Sequence, residues 1–212
     1  MPPDSARPGG NVKVTRNDWL TVARDLLISD GVGEVKVLTL GDILGVSRSS
    51  FYWYFKSRKD LLDALLAEWE DGNTGVLVRH AAMPAQTITG AVCNLFRCFI
   101  DPALFNHRLD FAVREWARRD GHVRRVIDRS DTSRCTAIRD MFERYGYSPY
   151  EAEARARILY FMQVGYYALD LSETVEERLS RIEGYLLGFT GQAARPEELT
   201  ALVAYARGLD TQ

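Results

Sequence analysis

Lys36 to Leu62 reads KVLTLGDILGVSRSSFYWYFKSRKDLL, and this stretch decides the fold. With Gly45 as a turn glycine, Leu40 and Leu44 face inward from a first helix. Gly41 leaves a side-chain-free spot where a second helix crosses closely, Val46 plugs the turn, and Phe51 packs back from the second helix. Ser47 stands where an N-cap hydroxyl accepts an amide hydrogen of the first turn. Two helices crossing steeply around a short glycine-containing turn form the unit that lays its second helix in the DNA major groove.

The positions not needed for packing point outward: Arg48, Ser49, Ser50, Tyr52 and Trp53, then Tyr54, Lys56, Arg58 and Lys59. No acidic residue occurs from Ser47 to Lys59. Arginine forks onto a guanine edge, serine reaches base or phosphate, and aromatic rings pack on thymine methyls or sugars. A face that merely packs on a neighbour would not interleave hydroxyls and cations with rings.

GVSRSSFYWYFKSRKDLL resembles the recognition helix, aromatic run and fourth-helix start of the TetR family of bacterial transcription regulators. The match runs through Tyr52, Tyr54, Phe55, Lys56, Lys59, Asp60 and Leu61. The resemblance implies DNA contacts from Arg48, Ser49, Ser50, Tyr52 and Tyr54, and phosphate binding around Lys56 to Arg58. With Lys36, Ser47 and Trp53 added, these form the candidate DNA-contacting set. Two departures stand out. Lys36 occupies the usual Thr or Ser cap position, and Gly41 replaces the commoner Ala; each weakens the first helix of the motif by roughly 1 kcal/mol. The resemblance is specific over about residues 14 to 65.

The 212 residues suit one or two domains with a sizeable core. A net charge of −2 does not announce a nucleic-acid binder. Residues 1–60, however, hold nine Lys and Arg against seven Asp and Glu, while 61–212 hold eighteen against twenty-two. That asymmetry agrees with a DNA-binding head on a mildly acidic body. The N-terminus lacks the apolar stretch of a signal peptide, and no run of about 18 apolar residues exists. Cys93, Cys98 and Cys135 are odd in number without CxxC spacing, as expected of a cytoplasmic chain with reduced thiols.

The expected organisation is an arm over 1–12, a helix-turn-helix domain over 13–60 with its motif at about 37–56, and a helical body over 61–212. A plain disordered tail is favoured for the arm over one from which Arg7, with the adjoining Lys13, brushes DNA. Thr15 caps a first helix with Trp19, Leu20, Ala23, Leu26 and Leu27 on its apolar face. Ser57 caps a fourth helix running towards Ala82, weakened midway by Gly72 and Gly75. Further helices are expected at about 86–100, 103–119, 122–145, 149–170, 174–191 and 196–208, punctuated by Gly and Pro. No segment alternates with period two, so the fold class is all-α: a three-helix DNA-binding domain plus a ligand-binding and dimerisation body, about nine or ten helices in all.

Ile158 to Leu171, ILYFMQVGYYALDL, is apolar nearly all round, with Gln163 and Asp170 as exceptions. Such a helix must be covered on every side. One side meets the core, and the other is expected to meet a second copy. The candidate interface is Phe161, Val164, Gly165 and Ala168 with Ile182, Tyr185, Leu186 and Phe189. Gly184 and Gly188 permit close approach, and together these segments look like the family's last long helix pair. The rings of the body suit a pocket for an apolar or planar effector, as the resemblance implies. Its candidate lining is Phe96, Phe99, Phe111, Trp116, Phe142, Tyr160, Gln163 and Tyr167. Gln163 needs a partner, which a ligand, a backbone carbonyl or the second copy can supply.

His107, Asp110, Glu115 and His122 come nearest to a metal or acid–base cluster, but no second ligand pair accompanies them, so they read as exposed helix polars. No nucleophile elbow, phosphate loop or HExxH exists, and no cofactor is called for. The function expected is a dimeric, non-enzymatic regulator released from an inverted-repeat operator by a small molecule. The alternative is gating by a protein partner or by cysteine oxidation.

Overall fold

The computed structural model describes residues 14–169, 171 and 173–209. The expected arm over 1–12, Lys13 and Asp170 lie outside the described residues. All regular structure among these residues is helical. No helix among them is long and apolar enough to cross a membrane. The chain divides into two compact units, one ending at Leu65 and the other beginning at Leu66.

In the first unit, α1 (Arg16–Ser29) opens on a capping box. The Thr15 hydroxyl accepts the Asp18 amide at 3.3 Å, and the Thr15 amide donates to the Asp18 carboxylate at 2.7 Å. The helix buries Trp19, Leu20, Ala23 and Leu27 and stops before Gly31, where φ is +82°. Next comes α2 (Val37–Leu44), which starts at Lys36 with no side-chain cap and ends on Gly45 in the left-handed conformation, φ 66°. Glycine adopts that conformation without a Cβ penalty. At Gly41 an added Cβ would stand 3.1 Å from the Val46 carbonyl oxygen, so the glycine permits the turn to fold closely over α2.

α3 (Arg48–Phe51) has a single helical turn, extended by tight hydrogen-bonded turns through Tyr54. Phe51 is fully buried, edge-on to Trp19 at 5.2 Å and stacked on Phe55 at 5.3 Å. Ser47 occupies the cap position but not the cap role. Its hydroxyl pairs with the Ser49 hydroxyl at 2.7 Å and makes no cap bond to the helix. α4 (Arg58–Trp69) starts as expected on Ser57, whose hydroxyl accepts the Asp60 amide at 3.2 Å.

α4 begins in the first unit and ends in the second. There it runs without a break into a π-helical turn over Glu70–Gly75 and then α5 (Val76–Ala82). Gly72 and Gly75 thus widen the helix but do not end it. The π turn rotates Asn73 and Thr74 inward, where both are buried. The rest of this unit is α6 (Ile88–Ile100), α7 (His107–Ala117), α8 (Gly121–Arg144), α9 (Pro149–Ala168), α10 (Val175–Leu179), α11 (Ile182–Thr190) and α12 (Pro196–Leu209).

Two boundaries differ from expectation. The helix expected from 103 starts only at His107, because the Asn106 side chain accepts the Leu109 amide at 2.9 Å and caps it there. The single helix expected over 174–191 is broken into α10 and α11. At the break the Ser180 hydroxyl turns back to the Glu177 carbonyl at 2.7 Å, and Arg181 reaches back to Glu173. The apolar core joins Leu95, Cys98, Ile138, Met141 and Phe142 to Ala152, Ala156 and Leu159.

The middle of this unit also holds a buried ionic network, and it corrects the exposed-polar expectation for Asp110. Asp110 is buried and accepts from Trp69 Nε1, Arg134 and Arg114, each at 2.9 Å. Arg134 is fully buried, donates to Thr74 at 2.9 Å and lies over the Trp69 ring at 5.2 Å. Arg114 forks onto Asp131 at 3.0 and 2.7 Å. Burial pushes the Asp110 carboxyl up, but Arg134 and Arg114 outweigh it and hold the group below the usual carboxylate range. Asn73 donates to the Asn106 carbonyl at 2.9 Å, so the π turn is tied to the start of α7.

Candidate nucleic-acid interface and ligand cleft

The outward face of the first unit carries the expected residues in unequal states. Arg48, Ser49, Tyr52, Trp53 and Lys56 are exposed, Ser50 is half-buried, and Trp53 is 84% exposed. Trp53 lies in sequence between Phe51 and Phe55, which are both buried. Arg48 lies over the Tyr52 ring and donates to its hydroxyl at 3.0 Å, so the two are presented as a pair. Lys56 and Ser47 are also open, and Lys36 pairs with Glu34 at 3.0 Å on the surface.

Two members of the candidate set are engaged inside the head. Arg58 is half-buried and donates to the Val35 carbonyl at 2.6 Å and to the Val32 carbonyl. Its guanidinium ties α4 to the loop before α2, so it is withdrawn from the phosphate-contact set. The Tyr54 hydroxyl donates to the Val14 carbonyl at 2.7 Å and anchors the approach to α1, leaving only its ring edge for DNA. Neither use was legible locally, since the partners lie 23 to 40 residues away in sequence.

In the second unit a cleft of about 330 Å³ opens between α6, α9, α10 and α12, lined by Phe99, Tyr166, Tyr167, Arg178 and Leu179 among others. A recess of about 50 Å³ adjoins it, lined by Phe96, Met162, Gln163, Tyr185 and Leu202 and sharing Ile100, Tyr166, Glu173, Arg178 and Leu179 with the cleft. The larger space is at the small end of ligand pockets, about 300–1,000 Å³. Gln163 is only 5% exposed, and its Nε2 has no hydrogen-bond partner. The Tyr167 phenol one turn on feels this amide but is not bonded to it, and its own hydroxyl donates to the Phe99 carbonyl at 2.6 Å. An unsatisfied buried donor costs about 1–3 kcal/mol unless something comes to accept its hydrogen.

Of the eight residues expected around a pocket, Phe96, Phe99, Gln163 and Tyr167 line these spaces. The other four do not. Tyr160 is buried in the ionic network, donating to Asp131 at 2.6 Å. Phe142 is fully buried core, packed edge-on against Tyr147 at 5.3 Å. Trp116 is buried away from either space, and Phe111 is on the surface. Sequence reading missed Arg178 as a wall residue, because α10 reads as an ordinary charged surface helix, and it did not put Glu173, just before α10, in the candidate lining.

The interface candidates divide likewise. Phe161 and Ala168 are exposed, and Val164, Gly165, Ile182 and Tyr185 are half-buried. Leu186 and Phe189 are turned into the chain's own core, so they are withdrawn from any face offered to a partner. Ile158, Leu169 and Leu187 stand open instead, at 60%, 71% and 51%. An added Cβ at Gly165, Gly184 or Gly188 would meet nothing within 4 Å, so none of these glycines serves a close approach within the chain.

Residues 20–65 match the family described as bacterial regulatory proteins, tetR family. Among curated proteins none matches the chain. Several solved structures share the fold. A TetR-family transcriptional regulator from Marinobacter aquaeolei VT8 has a TM-score of 0.61 at 15% identity, over 92% of this chain and 98% of that one. AmtR of Mycobacterium smegmatis has a TM-score of 0.58 at 20% identity, over 97% and 99%. GusR of Salmonella enterica has a TM-score of 0.57 at 16% identity, over 93% and 95%. Residues 20–65 thus carry a helix-turn-helix domain that matches the tetR family of bacterial regulatory proteins, and the chain as a whole shares the fold of these solved regulators.

Proposed function

We propose that the protein acts in the cytoplasm as a homodimeric repressor, bound to an inverted-repeat operator and released by a small molecule in the cleft of its second unit. The observation that carries the dimer is the open apolar face of α9 and α11. Ile158, Phe161, Leu169 and Leu187 are exposed on helices that also carry glycines without an intrachain neighbour. Contiguous apolar surface of this kind marks an interaction site, and a second copy of the same face satisfies a two-fold partner. The cleft, with its unsatisfied Gln163 amide, supports the ligand. The effector acts by preferring one spacing of the two heads over the other, which is the only way a ligand shifts such an equilibrium.

The protein-partner and oxidation alternatives have less behind them. Burial pushes Cys93 and Cys98 up to about 12 and Cys135 up to about 11. The thiolate is the reactive form, so buried thiols with raised pKa resist oxidation at neutral pH. Sedimentation equilibrium on complexes with genomic operator fragments tests the assembly. Two chains or a multiple of two per duplex are expected, and one chain per duplex at saturation contradicts the proposal.

A further inference from the structure

The walls of the cleft carry donors in excess of acceptors. Arg178 stands on the wall common to the cleft and its recess, over the Tyr166 ring at 5.1 Å, and pairs with no carboxylate among the described residues. Glu173, the one acid of that wall among the described residues, is already occupied. The Tyr166 hydroxyl donates to one of its oxygens at 2.6 Å, and Arg181 pairs with the other. Among the described residues, the charge left facing the cleft is therefore positive. Gln163 adds a buried amide donor at the recess, and Phe99, Ile100 and Leu179 keep the surroundings apolar.

We propose that the cleft binds a small amphipathic carboxylic acid, with a flat or acyl apolar body against Phe99, Tyr166 and Tyr167 and a carboxylate shared by Arg178 and Gln163. The inference rests on the ligand-released reading above and names the class of its ligand. A recess of about 50 Å³ admits a planar three-atom head, and a single arginine balances one negative charge but not the two of a phosphate monoester. A neutral ligand would leave Arg178 with only the shared influence of Glu173, and a cationic one would meet it as a like charge.

Calorimetric titration of the full chain without DNA tests this with octanoate, decanoate and 4-phenylbutyrate, each beside its primary amide and its matching alkylammonium. At least one acid is expected to bind about tenfold tighter than its amide, and the ammonium compounds weaker still. Arg178→Gln should abolish the preference for acid over amide. Arg178→Lys should retain the preference, and Gln163→Leu should weaken acid and amide alike by several-fold. The proposal fails if no acid binds below about 1 mM, or if acids bind no tighter than their amides. It also fails if Arg178→Gln, folded by circular dichroism, keeps the acid preference. Gel-shift titration with operator DNA separates the two claims. Acids that bind the chain but leave the DNA complex intact sink the release mechanism and leave the ligand class standing. Release by a neutral compound with no acid binding sinks the ligand class alone.

Discussion

Arg48 and Lys56 are both exposed cations of the head, yet their surroundings assign them different work. Arg48 is presented with Tyr52 from α3, the proposed recognition helix, whereas Lys56 sits at the turn into α4. Arg48→Ala is expected to cost about 1–3 kcal/mol on the cognate site and little elsewhere. Lys56→Ala should weaken all sequences similarly and reduce the salt slope by about one. Fluorescence anisotropy over a salt series distinguishes them, and identical sequence-independent losses would remove the base-reading role from Arg48. Arg58→Ala should act on folding, lowering the stability of the head by about 1–3 kcal/mol in thermal unfolding, because two backbone carbonyls lose a charged donor. A melting curve unchanged by that substitution would return Arg58 to the phosphate contacts. Gly41 and Gly45 were legible because each is fixed by neighbours within a few residues, and Phe51 because its place in the motif marks it as the packing residue of the second helix. Ser47 and Arg58 were not, since competing partners decide what a hydroxyl or guanidinium does.

At the scale of elements, period-3.6 apolar spacing placed most helices of both units near their observed bounds. It could not foresee the break at Ser180, where local side chains capture the backbone, nor that α4 would pass Gly72 and Gly75 by widening into a π turn. The ionic network was hidden for a related reason. No local pattern singles out Arg114, Arg134 or Asp131, and packing across α7, α8 and α9 buries Arg134 fully and the other two in part, through bonds spanning 17 to 46 residues. Asp110→Asn should destabilise the second unit by about 3–5 kcal/mol, since it leaves buried arginines short of charge. Because the folded Asp110 pKa lies below its unfolded value, its contribution is present at neutral pH and lost as pH falls through the folded value. Denaturant midpoints of wild type and D110N should therefore converge below the ordinary carboxylate range. A gap that persists in acid would show that Asp110 contributes by packing alone. On the face of α9, Phe161→Arg should give a folded monomer, because an unpaired cation at a buried interface is costly. Size-exclusion mass measurement decides that point, and a persisting dimer at low micromolar concentration would move the interface elsewhere.

For the whole molecule, the helix-turn-helix unit was readable from one stretch of sequence, while the second unit was readable only as helices. The rings of the second unit look alike in sequence, but Phe142 and Tyr160 are internal whereas Phe99 and Tyr167 face a cleft. No periodicity separates those fates, because each depends on which helix packs opposite. The same limit applies to Leu186 and Phe189, whose spacing fits an interface and whose packing puts them in the core. The central claim is that two copies of the head read DNA as a two-fold unit, which imposes its symmetry on the site. Selection of bound duplexes from a random DNA library tests it most directly. An enriched inverted repeat is expected, with half-sites about one helical turn or a small multiple apart, that loses affinity when either half is scrambled. Recovery of a single half-site, held equally well by the Phe161→Arg monomer, would contradict it.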